Sequence, residues 1–467
     1  MIRRYYATKD NTITNAFNEN LQTRGTGSNM GASDILETFS IYGQASSASV
    51  ELTRFLIQFD TDQLGSDRTA SKLPSAGNVS FFLKLYNAPH SQTTPSNFDL
   101  TISAVSQSWE EGYGLDMDFY EDITRDGIGS NWINAASGTT WTTQGGDYHA
   151  SPKFAQTFST GLEDLEVNVT SLVEEWLAGT KDNDGFGIKL ADALEATNRS
   201  FFRKKFFARD SEFFFAKPVI EARWDSARKD DRGNFYASSS LAPALDNLNS
   251  LYLYNSIRGR LRDIPSLGSN DIYVDLYDSI GGTKLTGSFT GSADATGIYK
   301  CDVQIDTTGS TIYDVWFSGS TQYHTGTISV EQFGSSDYSP ENAYVLSMPS
   351  LKSEYRKNQT HRLNLYARAK NWSPNIYTRA VATSIPSLVF ESSSYQIRRT
   401  IDDYVVVPYG TGSTMHTGLS FDVSGNYFDL DTTYLEAGYL YDIQYSFYDE
   451  ENGWEEQSYR FKFRVVN

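Results

Sequence analysis

The chain has 467 residues, enough for roughly three domains, and its 30 Tyr and 28 Phe lift the aromatic content to 14%, a bias towards half-buried pleated surfaces and an all-β architecture. Its formal net charge of −19, from 39 Lys and Arg against 58 Asp and Glu, repels polyphosphate and anionic lipid, which argues against nucleic acid and membrane as partners. The lone cysteine, Cys301, excludes an intramolecular disulfide, so packing or oligomerisation must stabilise the fold.

The opening Met1-Ile2-Arg3-Arg4-Tyr5-Tyr6 runs straight into a polar strand, with no apolar segment long enough for a signal peptide or a membrane span. The expectation is a chain kept in a cytoplasm until assembly or lysis. A first unit is read over 1–225. Its early strands include TRFLIQFDTDQL (Thr53–Leu64) and FFLKLYNAP (Phe81–Pro89), and VSQSWEEG (Val105–Gly112) reads as a strand with Trp109 turned inward. The segment Gly112–Tyr148 is a long loop holding Tyr113, Tyr120, Trp132, Trp141 and Tyr148 among Gly, Asp and Asn. Loop aromatics of this kind anchor protein contacts, stack on sugar rings or fold back on their own domain. Trp132 and Trp141 are therefore candidate contact residues.

From Leu165 the period changes twice. Leu165, Val167 and Val169 alternate as a strand does; Leu172, Val173, Trp176 and Leu177 then follow a helical period that Gly179 ends. Ser171 with Glu174 reads as a capping box. After the turn Lys181–Gly185, Phe186–Leu190 reads as a strand. This segment, NVTSLVEEWLAGTKDNDGFGIKL, resembles the signature of DNRLRE domains, β-sandwich modules related in architecture to carbohydrate-binding modules. GSNMGASDILE (Gly27–Glu37), the two early strands, VSQSWEEG and KPVIEARW (Lys217–Trp224) fit the same pattern in order. The resemblance covers about the first 225 residues and implies a jelly-roll-like sandwich. Its relatives are secreted or surface proteins, whereas a chain without a signal suggests a virion protein.

The polar stretch 226–248, with ARKDDRGN and YASSSLAPALDN, reads as a linker. Short strands recur from Leu251 to about 335, spaced as in an immunoglobulin-like sandwich. Gly334–Pro340 marks a further boundary, and 341–467 reads as a second immunoglobulin-like sandwich. Its last strands alternate cleanly: Tyr439, Tyr441, Ile443, Tyr445 and Phe447, then Tyr459, Phe461, Phe463 and Val465. Asn452-Gly453 is a turn pair between them. Arg460, Lys462 and Arg464 face away from that core, as cross-strand partners of acidic residues or as one side of a subunit contact. The string YVLSMPSLKSEYRKNQTHRLNLYARAKNWSPNIYT resembles segments of structural proteins of contractile-tailed phages.

Catalytic chemistry is hard to find. His90, His149, His324, His361 and His416 are scattered without metal-ligand spacing and read as loop or strand-surface residues. Cys301 alternates with Tyr299 and Val303 as a buried thiol. Glu110 and Glu111, as adjacent strand residues, point to opposite faces and cannot flank one glycosidic bond. Asp182 and Asp184, with Asn183 between them, are a candidate calcium site, although Ala191 stands where an EF-hand needs its bidentate Glu; an Asx turn is the alternative. The expected whole is three β-sandwich domains, non-enzymatic and without a required cofactor. It would contact other virion proteins and copies of itself; glycan recognition by an adhesin is the alternative.

Overall fold

The chain is all-β. A computed structural model describes every residue except 92–93, 116–128, 266, 268–270, 333–342, 371, 373–375, 377–386, 411 and 450–451. The expected boundary at Gly334–Pro340, and Tyr120 in the long loop, lie outside the described residues. Two compact units are formed, Ile2–Trp224 and Asp225–Asn467.

The first unit runs β1 (Ile2–Thr14), β2 (Ile35–Tyr42), β3 (Val50–Phe59), α1 (Thr61–Thr69), β4 (Ser80–Leu85), β5 (Phe98–Val105), a small hairpin β6 (Asn134–Ala136) and β7 (Thr139–Thr140), and β8 (Tyr148–Phe158). It continues with β9 (Leu165–Asn168), α2 (Thr170–Leu177), β10 (Phe186–Leu190), α3 (Asp192–Glu195), β11 (Phe201–Phe207) and β12 (Val219–Arg223). The register of β1 shifts between Ala7 and Lys9: Ile2–Tyr6 pair with β12, Ala7–Thr14 with β3. A shift of this kind bends a strand, and here it lets β1 belong to two sheets, β9–β4–β12–β1 and β1–β3–β10–β5–β8. Phe81, Leu83, Ile220 and Ala222 of one sheet and Phe55, Ile57, Ile102 and Ile188 of the other are fully buried. Strand β2 joins β3 only over Phe39–Tyr42, and β11 pairs with β2.

Strand, short helix and strand succeed one another over Leu165–Leu190 as their periods predict, and Trp176 is buried, its ring set edge-on to Phe186 at 4.9 Å. The cap differs from expectation. Val169 is the N-cap and makes no side-chain bond; Asn168 Oδ1 accepts from the N–H and hydroxyl of Thr170 instead. Glu174 does not fold back on Ser171, because Arg68 of α1 grips both of its oxygens at 2.7 Å, a stronger forked pair. Strand β5 also stops at Val105, so Trp109, Glu110 and Glu111 lie beyond it rather than on a strand.

The second unit contains two sandwiches. The first is built from β13 (Phe235–Tyr236), β14 (Asn249–Tyr254), a β15 (Ser256–Ile257) and β16 (Arg260–Leu261) hairpin, β17 (Ile272–Tyr277), β18 (Phe289–Ala295), β19 (Ile298–Val303), β20 (Thr311–Ser318) and β21 (Thr321–Glu331). Its order is β13–β21–β20–β17–β18–β19–β14, with the two ends of β18 pairing different neighbours around a core of Leu251, Val274, Tyr299, Cys301 and Trp316. The second adds β22 (Tyr344–Ser347), β23 (Glu354–Arg356), β24 (Thr360–Ala369), β25 (Ser393–Arg399), β26 (Tyr404–Val407), β27 (Ser420–Asp422), β28 (Gly425–Asp431), β29 (Leu440–Asp449), β30 (Gly453–Glu456) and β31 (Phe461–Val466). A β22–β24–β28–β27 sheet faces a β23–β31–β29–β25–β26 sheet.

The polar stretch 226–248 is not a free linker over its first half. Phe235 is buried in the core, and Arg232 makes a forked pair with fully buried Asp314 at 2.6 and 2.7 Å. Burial alone would raise the Asp314 carboxyl, but Arg232 holds it below its ordinary value. Arg228 pairs with Asp294 while its backbone N–H donates to Ser420, and Lys229 bridges to Phe421. A segment that looks solvated by composition thus stitches the two sandwiches together.

Candidate functional site

The described tryptophans of and before the long loop after β5 turn inward. Trp109, Trp132 and Trp141 are only 4%, 5% and 4% exposed, and they form a second small core with Ile13, Leu56, Val105 and Ala135. Trp141 Nε1 donates to Asn131 O and Trp109 Nε1 to Asp184 O, both at 2.8 Å. The Arg54 guanidinium lies over the Trp132 ring at 5.0 Å and is forked onto Glu195. Trp132 and Trp141 therefore do not form a subunit or sugar contact surface; the hydrophobic drive of large rings packs them into their own domain. Tyr113, 81% exposed, is the described ring of that group that remains outside.

Asn29, from the GSNMGASD stretch, clamps the loop. Its Nδ2 donates to Glu111 O (2.6 Å) and Ser130 O (2.8 Å), and its Oδ1 accepts from the N–H of Gly31 and Gly114. A Cβ on Gly114 would run into the Asn29 carbonyl, so close backbone approach requires glycine there. Asn11 adds bonds to Ser130 and Met30. Beside them, Asp10 accepts from Arg209 N, while Glu111 Oε1 accepts from Asp10 N and Arg209 Nε. Burial pushes the Asp10 carboxyl up to about 7, with the Arg209 N–H opposing and Glu111 adding to the rise.

A groove of about 610 Å³ opens where β2 leaves β3. Phe39 stands opposite Thr53 and Ile41 opposite Glu51, while Thr53 also stands opposite Thr14 across β1. These side chains share a face, and Ile35, Glu37, Phe202, Arg203 and Lys205 complete the lining from β2 and β11. Glu37 lies 3.9 Å from Arg203 and 3.6 Å from Lys205. Sequence reading missed this groove, although the mixed apolar and charged alternation of Ile35, Glu37, Phe39 and Ile41 was its signal.

The other candidates fall as follows. Arg460, Lys462 and Arg464 are all exposed along the approach to and length of β31, and Arg460 reaches Asp403 at 3.3 Å. Asp182 and Asp184 are not joined by a third metal-ligating side chain: among the described residues no three His, Cys, Asp or Glu are placed to hold a metal ion. Asn183 organises that turn, donating to Phe59 O and accepting from Gly185 N. Burial, then the Asp182 charge, raises the Asp184 carboxyl. His416 is buried rather than on the surface, between Pro408 O and Thr414 Oγ1. Cys301 is buried, and burial pushes its thiol up to about 12, far from a nucleophilic thiolate. No described helix is long and apolar enough to cross a membrane.

No protein-family model and no curated protein sequence matches the chain. Among solved structures, the Yersinia pseudotuberculosis adhesin InvE is similar at 11% identity, over 50% of this chain and 56% of that one, with a TM-score of 0.17. The Ig1-2 module of the Drosophila receptor tyrosine phosphatase DLAR is 9% identical over 47% of this chain and 91% of its own, TM-score 0.15. Native Escherichia coli alpha-2-macroglobulin is 11% identical over 94% of this chain and 20% of its own, TM-score 0.16. Likenesses this slight carry no argument about function.

Proposed function

We propose that the chain is a non-enzymatic structural component of a tailed-phage virion, acting through protein–protein contacts with other virion proteins and copies of itself in a symmetric assembly. The observation that carries the reading is the row Arg460, Lys462 and Arg464: three exposed cations in sequence alternation on a chain of net charge −19. Such a row complements the acidic surface of a neighbouring copy, and charge complementarity of this kind sets register and partner choice. The resemblance of the 344–378 string to phage structural proteins supports the virion setting, while that of the first 225 residues to a DNRLRE module bears on the fold alone. Its conspicuous chemical groups serve the scaffold: Glu111 ties Asp10 to Arg209, Asp184 O receives Trp109, and Cys301 fills a core. Mass spectrometry of gradient-purified particles tests the reading. It is expected to find the chain in a fixed ratio to other structural proteins; its absence from particles overturns the proposal.

A further inference from the structure

Lys204 lies in the middle of β11 and is only 1% exposed. Its Nζ sits over the rings of Phe158 and Phe206, 5.1 and 4.7 Å from their centroids. A lysine this deeply buried ordinarily has a charged partner, yet the three oxygens to which Nζ donates are neutral amides: Gly161 O at 2.9 Å, Glu163 O at 2.8 Å and the side-chain Oδ1 of Asn87 at 2.6 Å. Burial pulls the Lys204 ammonium down to about 8, with the charges of Asp164 and Glu163 opposing. Such an amine is partly free base just above neutral pH, and a free-base amine is a nucleophile.

Asn87 presents the other half of a reaction. Its carboxamide carbon is bonded to the oxygen that Nζ touches, and since that bond is about 1.2 Å long the carbon is no further than about 3.8 Å from Nζ. Reacting atoms held near 3–3.5 Å are close to attack. The segment is fixed in place: Asn87 N donates to Asp164 Oδ1 at 2.7 Å, Ala88 N donates to Lys205 O, and Asn87 bridges to Phe206. We propose that Lys204 and Asn87 join in an intramolecular isopeptide bond, formed in the folded chain with loss of ammonia. The free-base Nζ attacks Asn87 Cγ to give a tetrahedral adduct. As the bond from Cγ to the carboxamide nitrogen breaks, that nitrogen takes the proton that Nζ gives up and leaves as ammonia. Asp164, tied to Asn87 and the first of the two charges acting on Lys204, passes the proton between the two nitrogens. The bond ties β11, paired with β2 in one sheet, to the chain leaving β4 in the other. A chain whose single cysteine rules out an internal disulfide thereby gains a covalent tie. The proposal is independent of the virion reading and concerns the first unit alone.

Intact-mass measurement of the denatured full chain tests this. The expected result is a mass about 17 Da below that of the sequence, one ammonia lost to the attacking amine, with Asn87 and Lys204 recovered from a digest in one branched peptide. Asn87→Ala and Lys204→Met are expected to show the full mass of their own sequences, and Asp164→Asn to leave part of the chain unjoined. The wild-type mass and digest need no variant, so a substitution that fails to fold leaves the test intact. A wild-type chain at its full mass, a digest with the two residues in separate peptides, or a loss of ammonia that persists in Asn87→Ala or Lys204→Met overturns the proposal. Bonding as complete in Asp164→Asn as in wild type overturns the proton path given to Asp164.

Discussion

The two faces of strand β3 meet different fates. Leu52, Arg54 and Leu56 alternate onto one face, where Leu52 and Leu56 join the small core of Trp109, Trp132 and Trp141 and Arg54 covers the Trp132 ring. Glu51 and Thr53, one residue out of step, open onto the groove. On the tryptophan side the exposed-looking polar atoms are accounted for: Trp109 and Trp141 donate to carbonyls, and Arg54 is forked onto Glu195. On the groove side Glu51 and Arg203 each keep an unmade bond. Large rings and forked ion pairs close one face of the strand, whereas the other keeps buried polar atoms without a bond.

The largest expected effect breaks the tryptophan side. Trp132→Ala should destabilise the chain by about 3–5 kcal/mol in denaturant unfolding, the range for a buried large aromatic; a loss below about 1 kcal/mol would place the ring outside the core. Next comes the clamp. Asn29→Ala deletes four hydrogen bonds, which at about 1 kcal/mol each, partly replaced by water, predicts a loss of roughly 2–4 kcal/mol. Faster hydrogen exchange at Gly31 and Gly114 should accompany it, and unchanged exchange at both would remove Asn29 from that role.

Asp10 gives a pH signature beside the clamp. Its folded carboxyl titrates at about 7, above its ordinary value of 3.8, so the folded state binds this proton more tightly than the unfolded chain. Its stabilising contribution is then complete below about 4 and lost as pH rises towards about 7. Wild type should therefore lose stability relative to Asp10→Asn across that window, whereas parallel pH profiles would contradict burial as the governing cause. The smallest effect belongs to the groove. Glu51→Gln neutralises a buried carboxylate that has no ion pair among the described residues, and the change in stability should stay within about 1 kcal/mol. A loss as large as that of Trp132→Ala would make Glu51 part of the scaffold and erase the contrast between the two faces.

Much of the fold is legible because alternation is local. Tyr441, Ile443, Tyr445 and Phe463, Val465 are buried as their period predicts, and Gly179, with φ of 68°, ends α2 where the helical pattern stops. What failed depends on residues far away in the chain. Glu174 was claimed by Arg68, 106 residues distant, so a local capping box lost to a tertiary ion pair. Arg232 sits in a run that composition marks as solvated, and Asp314 on another strand makes its burial affordable. Trp132 and Trp141 look like exposed loop rings until β1–β3 pairing brings Ile13 and Leu56 beneath them. The groove draws on β1, β2, β3 and β11 together, and the order of strands in space is not written in any one of them.

A density map of the intact particle tests most sharply whether the chain is a virion component, with the triple variant Arg460→Glu, Lys462→Glu, Arg464→Glu as its companion. The chain is expected at regular, symmetry-related positions with the face of Arg460, Lys462 and Arg464 covered by an acidic neighbour, and the variant is expected to fold normally but be depleted from particles. A particle map with no density for the chain, or one in which that face stays open to solvent and the variant is incorporated as wild type, would contradict it.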